Sequence, residues 1–246
     1  TDAAGNAGTA DTTANSGSVT IDFTVPTMTI TSTTVSSGAT TNDATIALVF
    51  TSSESTTNLV STDVTLSAGS IGSTFAGSGG SYSATFTPGS DATFTISIAA
   101  GKFTDAAGNS NTVSNSFTWT YDSTALTMTI ASSTSGVTSG ATTNDATIAL
   151  TFTSSETTTS LTDDDVTVSG GTLSSFAGSG TAYTATFAPN GDAAYTISIA
   201  ANTFTDGAGN SNTVSNTFTW TYDGTAPTMV IASTTSGVTS GDRKSV

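Results

Sequence analysis

Residues 40–54 read TTNDATIALVFTSSE, and residues 142–156 read TTNDATIALTFTSSE. In the first stretch Ile46, Leu48 and Phe50 alternate with small or polar residues, and in the second Ile148, Leu150 and Phe152 do the same. A period of two puts one parity on one face of a β-strand, which a helical period would not do. The alternation continues outward through Tyr82, Ala84 and Phe86, then Phe94, Ile96 and Ile98, then Phe117, Trp119 and Tyr121. It recurs at Tyr183, Ala185 and Phe187, and at Tyr195, Ile197 and Ile199. Thr and Val favour the pleated surface. Clusters of Gly, Asn, Asp and Pro punctuate the runs. No helical pattern emerges.

The recurrence extends well beyond this stretch. Phe103 to Tyr121 reads FTDAAGNSNTVSNSFTWTY, and Phe204 to Tyr222 reads FTDGAGNSNTVSNTFTWTY. FAGSG occurs at Phe75 and Phe176, and an MTI or MVI segment at Met28, Met128 and Met229. The chain therefore repeats at about 100 residues. Two full units span residues 27–126 and 127–226. Residues 1–26 match the C-terminal strand part of a preceding unit, and residues 227–246 the N-terminal strand part of a following one. Within unit one, strands are expected near 28–34, 44–53, 63–68, 71–76, 81–87, 92–100 and 113–122. Seven short strands in about 100 residues predict an all-β fold of tandem Ig-like β-sandwiches in a linear array. Phe50, Phe86, Phe94 and Ile96 are the expected core, which needs no disulfide.

Composition removes several classes of function. The 246 residues include 59 Thr and 39 Ser but no Cys, His or Gln. Without Cys and His there is no thiolate or imidazole metal site, no cysteine nucleophile and no Ser-His-Asp triad. Eighteen acids face three basic residues, for a net charge of -15. Three cations cannot neutralise a phosphate backbone, so nucleic acid is not an expected partner. The longest apolar run, Ile46 to Phe50, is far too short to span a membrane, so no membrane insertion is expected in this segment. No group pair with opposed acid and base roles is evident, and no enzyme is expected.

The order of motifs is an MTI strand, TIALxFTSSE, DVTxS, YxATFxP, FTDxAGN and TYDxTAPT. It resembles the bacterial Ig-like repeats that form the stalks of large surface adhesins. The resemblance covers both full units and both partial ends. Leu126 departs from it where Pro26 and Pro227 stand. The resemblance implies an extracellular or cell-surface spacer whose partners are neighbouring repeats, often rigidified by Ca²⁺ and rarely catalytic.

Twelve acids fall into six repeat-matched pairs: Asp43/Asp145, Glu54/Glu156, Asp63/Asp165, Asp91/Asp192, Asp105/Asp206 and Asp122/Asp223. Strands that alternate in direction bring the end of the second strand, the loop after it and the sixth-to-seventh loop to one pole. That pole also receives the segment leading into the module. In unit one it should collect Asp22, Glu54, Asp63 and Asp105, with Asn109 nearby. In unit two it should collect Asp122, Glu156, Asp163, Asp164, Asp165 and Asp206, with Asn210 nearby. Clustered carboxylates repel unless neutralised, and Ca²⁺ takes six to eight hard oxygen ligands from such loops. Ca²⁺ there would tie the leading segment to the module and stiffen the junction. A second reading stays open: Asp105 and Asp206 serve as turn formers, Asp122 and Asp223 end strands, and Glu54 is solvated.

Other features carry their own alternatives. The Ser/Thr-rich faces read as good β-formers or as sites of O-glycans. No Asn-x-Ser/Thr sequon occurs. Lys102, the sole basic residue of either full unit, would need burial beside a carboxylate to form an isopeptide link. Trp119 and Trp220 read as packing residues, or as sugar-stacking platforms in a ligand-binding adhesin module. The out-of-phase ends fit a longer array, or a fibril built by strand complementation between molecules.

Overall fold

The computed structural model describes residue 4, residues 21–232 and residues 234–236. The partial repeats at 1–26 and 227–246 fall largely outside the described residues, as do Arg243 and Lys244. The chain forms two compact units.

The first unit runs β1 (Met28–Ser32), β2 (Thr40–Thr41), β3 (Ile46–Thr56), β4 (Val64–Leu66), β5 (Ser70–Ile71), β6 (Ala76–Thr87), β7 (Ala92–Ile98) and β8 (Phe117–Tyr121). One sheet has the order β1-β3-β6-β5 and the other β2-β8-β7-β4. The second unit repeats this with β9 (Met128–Ser132), β10 (Ala141–Thr143), β11 (Ile148–Thr158), β12 (Val166–Val168), β13 (Thr172–Ala188), β14 (Ala193–Ile199) and β15 (Phe218–Tyr222). Its sheets are β13-β11-β9 and β10-β15-β14-β12. The long β13 takes the place of both β5 and β6.

Alternation sets the core. On β3, Ile46, Leu48 and Phe50 are buried and opposed by Phe86, Ala84 and Tyr82 of β6. Phe86 meets Phe94 and Trp119 of the other sheet edge-on, with ring centroids 5.2 and 5.9 Å apart. The second unit repeats the contact with Phe187, Tyr195 and Trp220. Burying each such side chain contributes about 1.5–3 kcal/mol.

The strand expected over 71–76 shrinks to Ser70–Ile71, because Ala76 already opens β6, and two larger details also differ from the sequence expectation. First, the leading strand is split. β1 pairs antiparallel with β3, and β2 then pairs parallel with β8 in the opposite sheet. Gly38, at φ 87, makes the turn between them, as Gly140 does at φ 89 in the second unit. A positive φ is costly for residues with a Cβ, so the SGAT segment can change sheets there.

Second, the strand expected over 113–122 begins only at Phe117. The chain before it is held by side chains. Asn111 Oδ1 accepts from Lys102 N and Phe103 N at 2.7 and 2.9 Å. Its Nδ2 donates to Ala99 O and Thr112 O at 2.9 and 2.7 Å. Asn115 imitates a strand neighbour, accepting from Ile30 N and donating to Ile30 O. Asn212 and Asn216 repeat the arrangement. Buried backbone groups need partners, and here Asn amides supply them in place of a ladder.

Candidate metal centre at one pole of each module

The last residue of β3, Thr56, bridges to Asp105 in the loop after β7, and its hydroxyl meets Tyr82 Oη at 2.6 Å. This fixes the end of β3 against the DAAGN loop. Glu54, two residues earlier on the same strand face, therefore lies beside Asp105. The leading segment joins them. Asn109 Nδ2 donates to Asp22 O at 3.1 Å, and Thr112 N donates to Pro26 O at 3.0 Å. As a result, carboxylate oxygens of Asp22, Glu54 and Asp105 all come within 4.8 Å of one another. Their repeat counterparts Asp122, Glu156 and Asp206 form an equivalent group within the same distance.

Within each group the acids are not alike. Asp105 is 4% exposed. Its Oδ1 accepts from Ala107 N and Asn109 N at 2.9 and 2.8 Å, and its Oδ2 from Asn109 Nδ2 at 2.8 Å. Burial pushes its carboxyl up, but the hydrogen bonds from Asn109, Gly108 and Ala107 outweigh that and hold it below the usual aspartate range. Asp206 is gripped the same way by Ala208, Gly209 and Asn210. The turn-forming role of the DxAGN aspartate is therefore real, and it leaves a lone pair on Oδ2, which accepts only one of these bonds, for a further ligand. Glu54 is pushed the other way. Burial, then the neighbouring Asp22 and Asp105 charges, raise its carboxyl above the usual range. The group offers convergent oxygens of one sign, the donor type that suits a hard divalent cation.

The other predicted ligands lie elsewhere. Asp63 closes a 3-10 turn, Ser61–Asp63, by accepting from Val60 N at 3.0 Å. Asp165 closes the equivalent turn, Asp163–Asp165, by accepting from Thr162 N and Oγ1. Asp163 and Asp164 are exposed on that turn. Neither Asp63, Asp163 nor Asp165 joins the carboxylate groups. Capping a turn ahead of a strand uses the same residue type as metal ligation, so spacing alone did not separate the two.

Three further acids have structural partners. Asp43 accepts from Thr41 Oγ1 at 2.8 Å, and that hydroxyl accepts from Trp119 Nε1 at 3.1 Å. Asp145, Thr143 and Trp220 repeat the relay. Asp192 holds the segment leaving β15: Gly224 N donates to Oδ1 at 2.7 Å and Thr225 Oγ1 to Oδ2. These bonds, the Thr225 hydroxyl first and the Gly224 amide second, pull its carboxyl below the usual range. A lowered carboxyl adds stability above its unfolded pKa that is lost as pH falls through the folded one. The Gly224 amide NMR shift should thus titrate with a midpoint below the ordinary aspartate value. Asp192→Asn should abolish that titration.

Trp119 and Trp220 are 0% and 1% exposed, so both pack inside the sandwich rather than presenting a stacking face. Lys102 is exposed, without the burial an isopeptide link needs. Among the described residues, no helix is long and apolar enough to cross a membrane.

A family model for a bacterial Ig-like domain matches residues 22–121 and again residues 122–222. Among solved structures, the Yersinia pseudotuberculosis adhesin InvE is similar at 12% identity with a TM-score of 0.28, over 80% of this chain and 58% of that one. The C-terminal domain of the Streptococcus agalactiae AgI/II polypeptide BspA is similar at 9% identity with a TM-score of 0.35, over 80% of this chain and 99% of that one. The chain thus spans under two thirds of the InvE structure. No curated protein matches.

Proposed function

We propose a structural role on one premise: the chain belongs to the bacterial Ig-like domain family, in two tandem copies. The modules act as spacers in an extended surface protein, and Ca²⁺ ties each leading segment to the module it opens. The observation that carries this reading is the carboxylate group at Asp22, Glu54 and Asp105, repeated at Asp122, Glu156 and Asp206. Each group joins one residue of the leading segment, one strand end and one loop. A cation bound by all three would cross-link elements that the chain connects only distantly. Lys102, the one basic residue of the two repeats, is exposed on the loop after β7 and supplies no alternative neutralisation inside the group. The exposed Thr and Ser on the outer sheet faces offer hydroxyls for O-glycans, which suit an extracellular stalk.

Calcium titration with thermal melting tests the central claim. Ligand at about a hundred times its Kd adds about 2.7 kcal/mol to the folded state, a Tm rise on the order of 10 °C for a 100-residue module. Glu54→Gln serves as the diagnostic variant. Its raised carboxyl marks a group whose ionisation opposes folding, since a raised folded pKa confers stability only below the unfolded value and loses it as pH rises. In chelator at neutral pH the variant should therefore melt above the parent protein. With calcium its first module should gain less than the parent's does. A parent protein whose Tm is indifferent to millimolar calcium and to chelator would sink the reading.

A further inference from the structure

The two modules differ at one chemically significant turn. Between β13 and β14 the second module carries Asn190 and Gly191 where the first carries Gly89 and Ser90. Asn190 is the one asparagine of 13 that is followed by glycine. It is exposed, and Gly191 sits at φ 153, where a Cβ would meet no atom within 4 Å. Gly191 thus brings no side chain of its own to hinder approach of its amide nitrogen to the Asn190 side chain. A further difference accompanies this one. Tyr195 stands where the first module has Phe94, and its hydroxyl reaches back to the turn. It accepts from Asn190 N at 3.1 Å and lies 2.8 Å from Asn190 Oδ1 and 2.6 Å from Gly191 O, its single proton shared between those two carbonyls.

We propose that Asn190 is a site of spontaneous deamidation, with Tyr195 as the residue that polarises its amide. The Gly191 backbone nitrogen attacks Asn190 Cγ, and a nitrogen–carbon bond forms. Negative charge develops on Oδ1, where the Tyr195 hydroxyl donates, as a donor aimed at an oxyanion does in acyl transfer. The bond from Cγ to Nδ2 then breaks, and Nδ2 leaves as ammonia with the proton given up by the Gly191 amide. Solvent water opens the resulting succinimide at either carbonyl, leaving aspartate or isoaspartate. No oxidant, reductant or cofactor is needed. The product adds one negative charge. It does so two residues before Asp192, whose carboxylate holds Gly224 and Thr225. A like charge there favours protonation of Asp192, so the modified turn weakens the hold on the segment leaving the module.

The test is ageing of the intact chain at 37 °C and mildly alkaline pH, followed by chymotryptic peptide mass analysis. The expected result is a gain of about 1 Da, the exchange of an amide NH₂ for OH, on the peptide containing residue 190. The other twelve asparagines should lag far behind. Tyr195→Phe reproduces the buried Phe94 of the first module, so it should fold, and it should slow the conversion roughly tenfold, the worth of one hydrogen bond to a developing charge. In aged protein the Gly224 amide titration should move to higher pH. An Asn190 that gains no mass while other asparagines do would overturn the site. A Tyr195→Phe chain that converts as fast as the parent, or faster, would overturn the role of Tyr195.

Discussion

Trp119→Ala should lower the stability of the first module by about 3–5 kcal/mol, the usual cost of truncating a fully buried aromatic. Trp119 has no exposed surface and packs against Phe86, Phe94 and Tyr121, with ring centroids 5.9, 6.0 and 5.7 Å away. It thus fills the space between the two sheets at their centre. Alanine would leave a cavity that neither β3 nor β6 can close, because both are pinned by long antiparallel ladders. A module of about 100 residues loses about 4–8 °C per kcal/mol, so its calorimetric transition should fall by more than 10 °C. Trp119→Phe separates the two contributions. It keeps most of the ring volume but removes the Nε1 donor to Thr41 Oγ1. Thr41 retains Asp43 as a partner, so this variant should cost only about 1–2 kcal/mol. The second module carries Trp220 in the same setting and serves as the unchanged reference within the chain. Equal losses for the two variants would mean that the hydrogen bond, not the packing, is what Trp119 contributes.

Much of this arrangement is readable from residue spacing. Alternation at Ile46, Leu48 and Phe50 identifies the core parity, because a strand that slips by one residue would expose every one of them. Counting strand directions brings Asp22, Glu54 and Asp105 to one pole, because antiparallel neighbours return the chain to the same end. The rest depends on what short polar side chains do with backbone groups. Asp63 and Asp165 resemble ligands by spacing, yet each caps a single turn. Asp192 shows no sequence sign of holding Gly224 and Thr225, which lie more than thirty residues away. The end of the NSNTVSN segment carries Val113, a good strand former, and runs straight into the Phe117, Trp119 and Tyr121 alternation, so residues 113–116 read as the opening of the last strand. The segment's asparagines instead satisfy the backbone with their amides. Asn202 shows the limit in a smaller way. It adopts φ 62 where Gly101 of the first module has φ 73, a conformation that Asn tolerates and most residues do not.

Asn111 is where that hidden polar framework can be tested most directly. Its amide makes four hydrogen bonds, to Lys102 N, Phe103 N, Ala99 O and Thr112 O, while only 3% of its surface is exposed. Each bond made by such a group is worth only about 1 kcal/mol net, but each buried backbone group left without a partner costs about 1–3 kcal/mol. Asn111→Ala strands several at once, including the amide of Phe103, a residue that is itself buried in the core. The expected loss is about 3–5 kcal/mol, in the range where single substitutions become exceptional. Asn111→Leu tells apart the two ways of reaching that figure. Leucine has nearly the same shape as asparagine and fills the space, but it offers no donor or acceptor. If the backbone groups dominate, Leu should be almost as damaging as Ala in chemical denaturation, and the Phe103 amide should exchange with solvent much faster in both. If the cavity dominates, Leu should recover most of the stability. Asn212, with the same four partners in the second module, should give the same ranking. The loop carrying Asp105 or Asp206 springs from this anchored segment, so the variants should also loosen the carboxylate group that the loop presents.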